Sequence, residues 1–118
     1  MEIRERRIHT VTVLEPLGRL VLTESPSDNV LKDRIESLLS EGRQQFVIDL
    51  GQLSHVDTSG LTTLVHVCLA VRKQRGRITL SNPTKRMREL LSVTKLNAFL
   101  EVFDNERDAI ESLAKESI

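Results

Sequence analysis

Tryptophan and tyrosine are absent from this sequence, and three phenylalanines are its only aromatic residues. So few rings leave little for stacking on exposed bases, and there is neither a nucleic-acid motif nor overall basicity to compensate. No direct nucleic-acid partner is expected. Cysteine occurs once, at Cys68, so an intramolecular disulfide is impossible and a reducing, cytoplasmic setting is the simpler one. Neither charge sign is in excess: 17 Lys and Arg face 17 Asp and Glu, so any electrostatic preference has to be local. Long apolar runs are also missing. No stretch approaches the roughly 18 residues that span a bilayer, and "MEIRERRIHT" lacks the apolar core of a secretory signal, so no membrane partner is expected.

What remains is enough for one core and too short for two ordinary domains, so residues 1–118 read as a single domain. "IHTVTVLEPLGRLVLT" alternates on both sides of Glu15-Pro16-Leu17-Gly18, which predicts strands near 8–14 and 18–23 joined by a turn. "VLKDRIESLL" places Val30, Leu31, Ile35, Leu38 and Leu39 on one helical face, with Gly42 as the stop. "QQFVIDL" has the continuous apolar character of a central strand covered on both faces. After Asp57, residues Leu61, Leu64, Val65, Cys68 and Leu69 form the predicted inward stripe of a helix ending near Gly76. A fourth strand in "RITLSNP", a helix capped by Thr84, a short strand over 101–103 and a helix capped by Asp104 complete the series. The order β-β-α-β-α-β-α-β-α predicts an α/β domain, a mixed sheet of about five strands with about four helices.

The stretch that carries chemistry is "SHVDTSGLTTLV". With Asp57 as N-cap, its carboxylate accepts from the backbone N–H of Ser59 or Gly60, and Thr58 and Ser59 fall in the exposed first turn. Gly60 costs up to about 1 kcal/mol of helix propensity, which suggests close approach of another backbone, that of a partner protein included. Phosphorylation of either hydroxyl would add a charge of about −1.5 to −2 beside Asp57, changing the surface a partner meets. The same tetrapeptide is also an ordinary helix start.

"FVIDLGQLSHVDTSGLTTLV" and "LSNPTKRMRELLSVTKL" resemble the STAS domain of anti-sigma factor antagonists, over about residues 8–115. The resemblance implies a STAS-like sheet and a non-enzymatic partner switch. The hydroxyl residue after the aspartate, here Thr58, would be phosphorylated by a serine/threonine kinase that is also an anti-sigma factor. The unphosphorylated form would hold that kinase and release a sigma factor, until a serine/threonine phosphatase resets the phosphorylated one. Asp57, Ser59 and Gly60 would shape the docking turn. Where the family carries Gly-x-Leu-Asp after the second strand this chain has "LVLTESPSDN", so Glu24 or Asp28 would supply the carboxylate. The other function weighed is a STAS-like structural subunit of a larger assembly, such as a transporter ATPase, with no phosphorylation.

Other constellations point to less. Asp-Thr before small residues resembles the aspartic-protease motif, but that motif lacks the intervening Ser and belongs to all-β folds. No acid, base and nucleophile assemble into an enzyme site, and no cofactor is called for. His9, His55, His66 and Cys68 lack zinc-ligand spacing, so no metal is expected. His55, two residues before Asp57, is a candidate for the docking surface. Seven basic residues between Arg72 and Arg88 read as a solvated face or a surface for an acidic partner.

Overall fold

The computed structural model describes residues 2–20 and 30–116. Its elements are β1 (Glu2–Ile8), β2 (Val11–Leu20), α1 (Val30–Ser40), β3 (Gln45–Asp49), β4 (Leu53–Val56), α2 (Thr58–Lys73), β5 (Arg77–Ser81), α3 (Lys85–Thr94), a short 3-10 turn (Leu96–Ala98), β6 (Val102–Phe103) and α4 (Glu106–Glu116). The strands form one mixed sheet in the order β1-β2-β3-β5-β6, with β4 joined to β2. Among the described residues only β1 and β2 pair antiparallel; the other ladders are parallel.

β3 is central because both of its faces are apolar. Phe46 and Ile48 enter a large cluster with residues of α1, α2 and α3, while Val47 joins Val11, Val13, Ala109 and Leu113 under α4. Three helices therefore cover one face of the sheet and α4 covers part of the other, which explains the unbroken apolar run of β3.

Four expectations are refined or corrected. Two strands, β1 and β4, were not expected, and the described parts of the two expected near 8–14 and 18–23 belong to one strand, β2, so the sheet has six strands and not about five. The first hairpin turns at His9-Thr10, not at Glu15–Gly18, and β2 runs through Pro16 and Gly18. The Pro and Gly there mark an irregularity: Gly18 has φ +98, and the register shifts between Gly18 and Arg19, where β2 takes up β4. β1 was hidden by its charges, several of which are paired in the fold: the Arg34 guanidinium donates to Glu5 at 2.6 and 2.9 Å, and Arg6 pairs with Glu106 at 2.5 Å.

On α2 the buried arc is Leu61, Leu64, Val67, Cys68 and Val71, whereas Val65 is half-buried and Leu69 is 47% exposed. The helix is rotated about its axis relative to the stripe inferred from the largest side chains. α4 is capped by Asn105, whose Oδ1 accepts from the Asp108 N–H at 2.9 Å, while Asp104 instead pairs with Arg88 at 2.8 Å. Thr84 caps α3 as expected, accepting from the Met87 N–H at 3.2 Å.

Candidate functional site

Asp49 begins the construction of the site. At the end of β3 it is 6% exposed, and its Oδ1 accepts from the Gly51 N–H at 2.9 Å, folding the chain back toward β4. A Cβ at position 51 would lie 2.2 Å from Asn82 Nδ2, so a larger residue there requires the Asn82 amide to move. Burial pushes the Asp49 carboxyl above its ordinary range; the Gly51 N–H opposes this, and the Glu106 carboxyl and the Glu15 charge add to it.

β4 carries the chain to the turn. Leu53 and Val56 are buried, Ser54 and His55 exposed, and Ser54 Oγ donates to the Gly18 carbonyl at 3.0 Å. Such a pattern does not alternate, which hid the strand in the sequence. Its partners are Gly18, Arg19 and Leu20 of β2, so the turn that follows hangs from the far end of that strand.

Asp57 is the N-cap of α2 in extended backbone geometry, its Oδ1 accepting from the Gly60 N–H at 2.8 Å, and its carbonyl takes the first helical bond from Leu61 at 3.0 Å. Of the two hydroxyls, Thr58 is exposed and Ser59 half-buried, while Gly60 is buried. Among the described residues the exposed Thr58 hydroxyl has no hydrogen-bond partner. Asp57, Thr58, Ser59 and Gly60 thus share one helical turn, with exposed His55 just before it. Glu24 and Asp28 lie outside the described residues.

The outward position of His66 on α2 agrees with the sequence, whose apolar stripe it points away from, but the line it forms with Thr58 and Thr62 was not singled out there. Thr62 and His66 follow Thr58 at four-residue steps and are exposed, with exposed Leu69 next. The i, i+4 spacing from Thr58 was the available signal. Cys68 faces inward, and burial pushes its thiol up to about 11, so it is no nucleophile at neutral pH. Among the described residues no group of three or more His, Cys, Asp or Glu could hold a metal ion, and no helix is long and apolar enough to cross a membrane.

The STAS domain family model matches residues 4–109. A Thermotoga neapolitana protein named as a candidate anti-sigma factor antagonist is 23% identical over 78 residues, 66% of this chain and 69% of that protein. The crystal structure of a candidate anti-sigma factor antagonist from Thermotoga maritima superposes with a TM-score of 0.83 at 18% identity, covering 95% of this chain and 94% of the other. The anti-sigma factor antagonist SpoIIAA is similar in its unphosphorylated form (TM-score 0.70, 19% identity, 96% and 98% covered). The phosphorylated form of the Bacillus protein is equally so (TM-score 0.69, 18% identity, 94% and 98% covered).

Proposed function

This chain belongs to the STAS domain family, and from that premise we propose that it is an anti-sigma factor antagonist working by partner switching, with Thr58 the phospho-acceptor. The observation that carries the reading is the exposed Thr58 hydroxyl at the first position of α2, beside a capping Asp57 fixed by its bond to the Gly60 N–H. In the unphosphorylated form the small hydroxyl, the Asp57 carboxylate and the buried Gly60 let a protein partner pack closely on the turn. That partner is a serine/threonine kinase that also acts as the anti-sigma factor, so its capture frees a sigma factor.

A phosphate on Thr58 brings a charge of about −1.5 to −2 to a helix start, where the dipole stabilises it, but also next to the Asp57 carboxylate. Asp57 cannot swing away without giving up its cap. The surface therefore becomes bulky and strongly anionic while the fold stands, and the kinase dissociates until a serine/threonine phosphatase removes the group. The nearly equal likeness to SpoIIAA with and without its phosphate supports this view that the switch alters a surface and leaves the fold intact.

The test is a pull-down from native lysate with wild type, Thr58→Ala and Thr58→Glu as baits, followed by incubation of each capture with ATP and peptide mapping. Wild type and Thr58→Ala should retain a kinase that Thr58→Glu loses, and wild type alone should gain phosphate at position 58. Retention of the same transporter or scaffold proteins by all three baits, with no kinase, would overturn the proposal in favour of a structural subunit.

A further inference from the structure

The basic strip between Arg72 and Arg88 is broken up by the fold. Arg72 lies 4.6 Å over the Phe99 ring and donates to its carbonyl, Arg77 donates to both carboxylate oxygens of Glu101, Arg86 approaches Glu89, and Arg88 pairs with Asp104. Arg75 is exposed and makes no ion pair among the described residues. It stands on a cleft of about 530 Å³ at the end of the sheet where β3 and β5 begin, lined also by Thr10, Arg43, Gln45 and Arg77. That volume falls within the roughly 300–1,000 Å³ of small-molecule sites.

Two loops of parallel design build the cleft. α1 ends with the Arg43 N–H returned to the Leu38 carbonyl and the Gly42 N–H to Leu39; α2 ends with the Arg75 N–H returned to Arg72 and the Gly76 N–H to Val71. The helix-end carbonyls are thus answered by backbone donors, and the arginines have to offset the negative ends of two helices that still face an incoming anion. Each loop then presents a guanidinium. Arg43 donates from Nε to Thr12 Oγ1 at 3.0 Å, and its Nη2 is buried with no hydrogen-bond partner among the described residues, so an anion in the cleft engages it only by drawing the side chain outward. Arg75 holds φ +62, a left-handed conformation that glycine adopts with least strain. Gly76 is needed next door, because a Cβ there would meet the Gln44 carbonyl at 2.6 Å.

We propose that this cleft binds a small, free, multivalent phosphate-class oxyanion, held by the guanidiniums of Arg43 and Arg75 with Thr10 and Gln45 as polar wall. Guanidinium forks match the geometry of phosphate oxygens, and two of them on separate loops suit an anion with more than one phosphoryl group. No aromatic ring lines the cleft, so a base has nothing to stack on and the recognised chemistry is the phosphate itself. The site lies away from the Asp57 turn and stands independently of the partner-switching proposal.

Titration calorimetry of the full chain with tripolyphosphate tests it. Saturable one-site binding is expected, weakened about tenfold or more by Arg75→Gly, as befits loss of a charge-assisted contact. Arg75→Gly also relieves the left-handed strain, so its melting temperature should rise, which separates lost binding from lost folding. Lys85→Ala, outside the cleft, should leave the affinity unchanged. Absence of saturable heat, unchanged affinity in Arg75→Gly, or an equal loss in Lys85→Ala overturns the proposal. Tighter binding to phosphatidic-acid vesicles or to a short oligonucleotide than to tripolyphosphate overturns the assignment to a free anion.

Discussion

Asp49 and Glu5 show opposite uses of a carboxylate. Arg34's hydrogen bond holds the Glu5 carboxyl below its ordinary range, and although solvent screens this half-buried pair in part, the stability it supplies is present above that range and is lost as pH falls. Burial holds Asp49 above its ordinary range. The folded state then binds the proton more tightly than the unfolded chain, so the contribution of Asp49 is fully present below the ordinary value and is lost as pH rises through the elevated one. Urea midpoints measured from neutrality down to about pH 4 should therefore decline less steeply in wild type than in Asp49→Asn, which keeps the acceptor for Gly51 but cannot titrate. Parallel profiles for the two proteins would remove Asp49 from the account. At this level the sequence was informative about Asp57, whose capping role follows from its place before a helical pattern. It was silent about Asp49, because burial and the neighbouring Glu106 are products of tertiary packing.

The helices were legible from periodicity, but their rotation was not. α2 has apolar residues at both 64/67/68/71 and 65/69, and only packing against the sheet and α1 selects the first set. Leu64→Ala should cost about 2–5 kcal/mol, as for a fully buried leucine, and Leu69→Ala well under half of that; chemical denaturation of both variants checks the ordering. Equal costs would mean that the helix sits in a different rotation. Strands were read less well where charge or punctuation interfered. β1 alternates, yet it is rich in charge, and its Glu5 and Arg6 find their partners, Arg34 and Glu106, on helices distant in sequence. Pro16 and Gly18 looked like a turn because a bulge uses the same residues. β4 has too few residues, and no alternation, to announce itself.

At the scale of the whole molecule, the Asp57 turn and the arginine-lined cleft lie at opposite ends, and α2 runs between them. Thr58 opens this helix and Arg75 lies just past its close, about 24 Å of helix apart. The α/β order, the central third strand and the Asp57 turn were all readable, because apolar pattern and cap chemistry are local. The arginine cleft was not, since it joins Thr10, Arg43 and Arg75 from three loops that only the parallel sheet brings together. One feature of that sheet bears on how the Asp57 turn behaves. β2 serves β3 along residues 11–14 and β4 along 18–20, and the second ladder has three register pairs against five between β3 and β5. The Asp57 turn is therefore mounted on a cantilever, a short arm expected to peel from its support before the beam behind it opens. Deuterium should enter the amides of His55 and Val56 well before those of Phe46 to Ile48, and simultaneous exchange would show arm and beam to be one cooperative unit. A protein partner that closes on this arm would clamp it, adding to the contact energy a cost in lost motion that a phosphate at its tip would not have to meet.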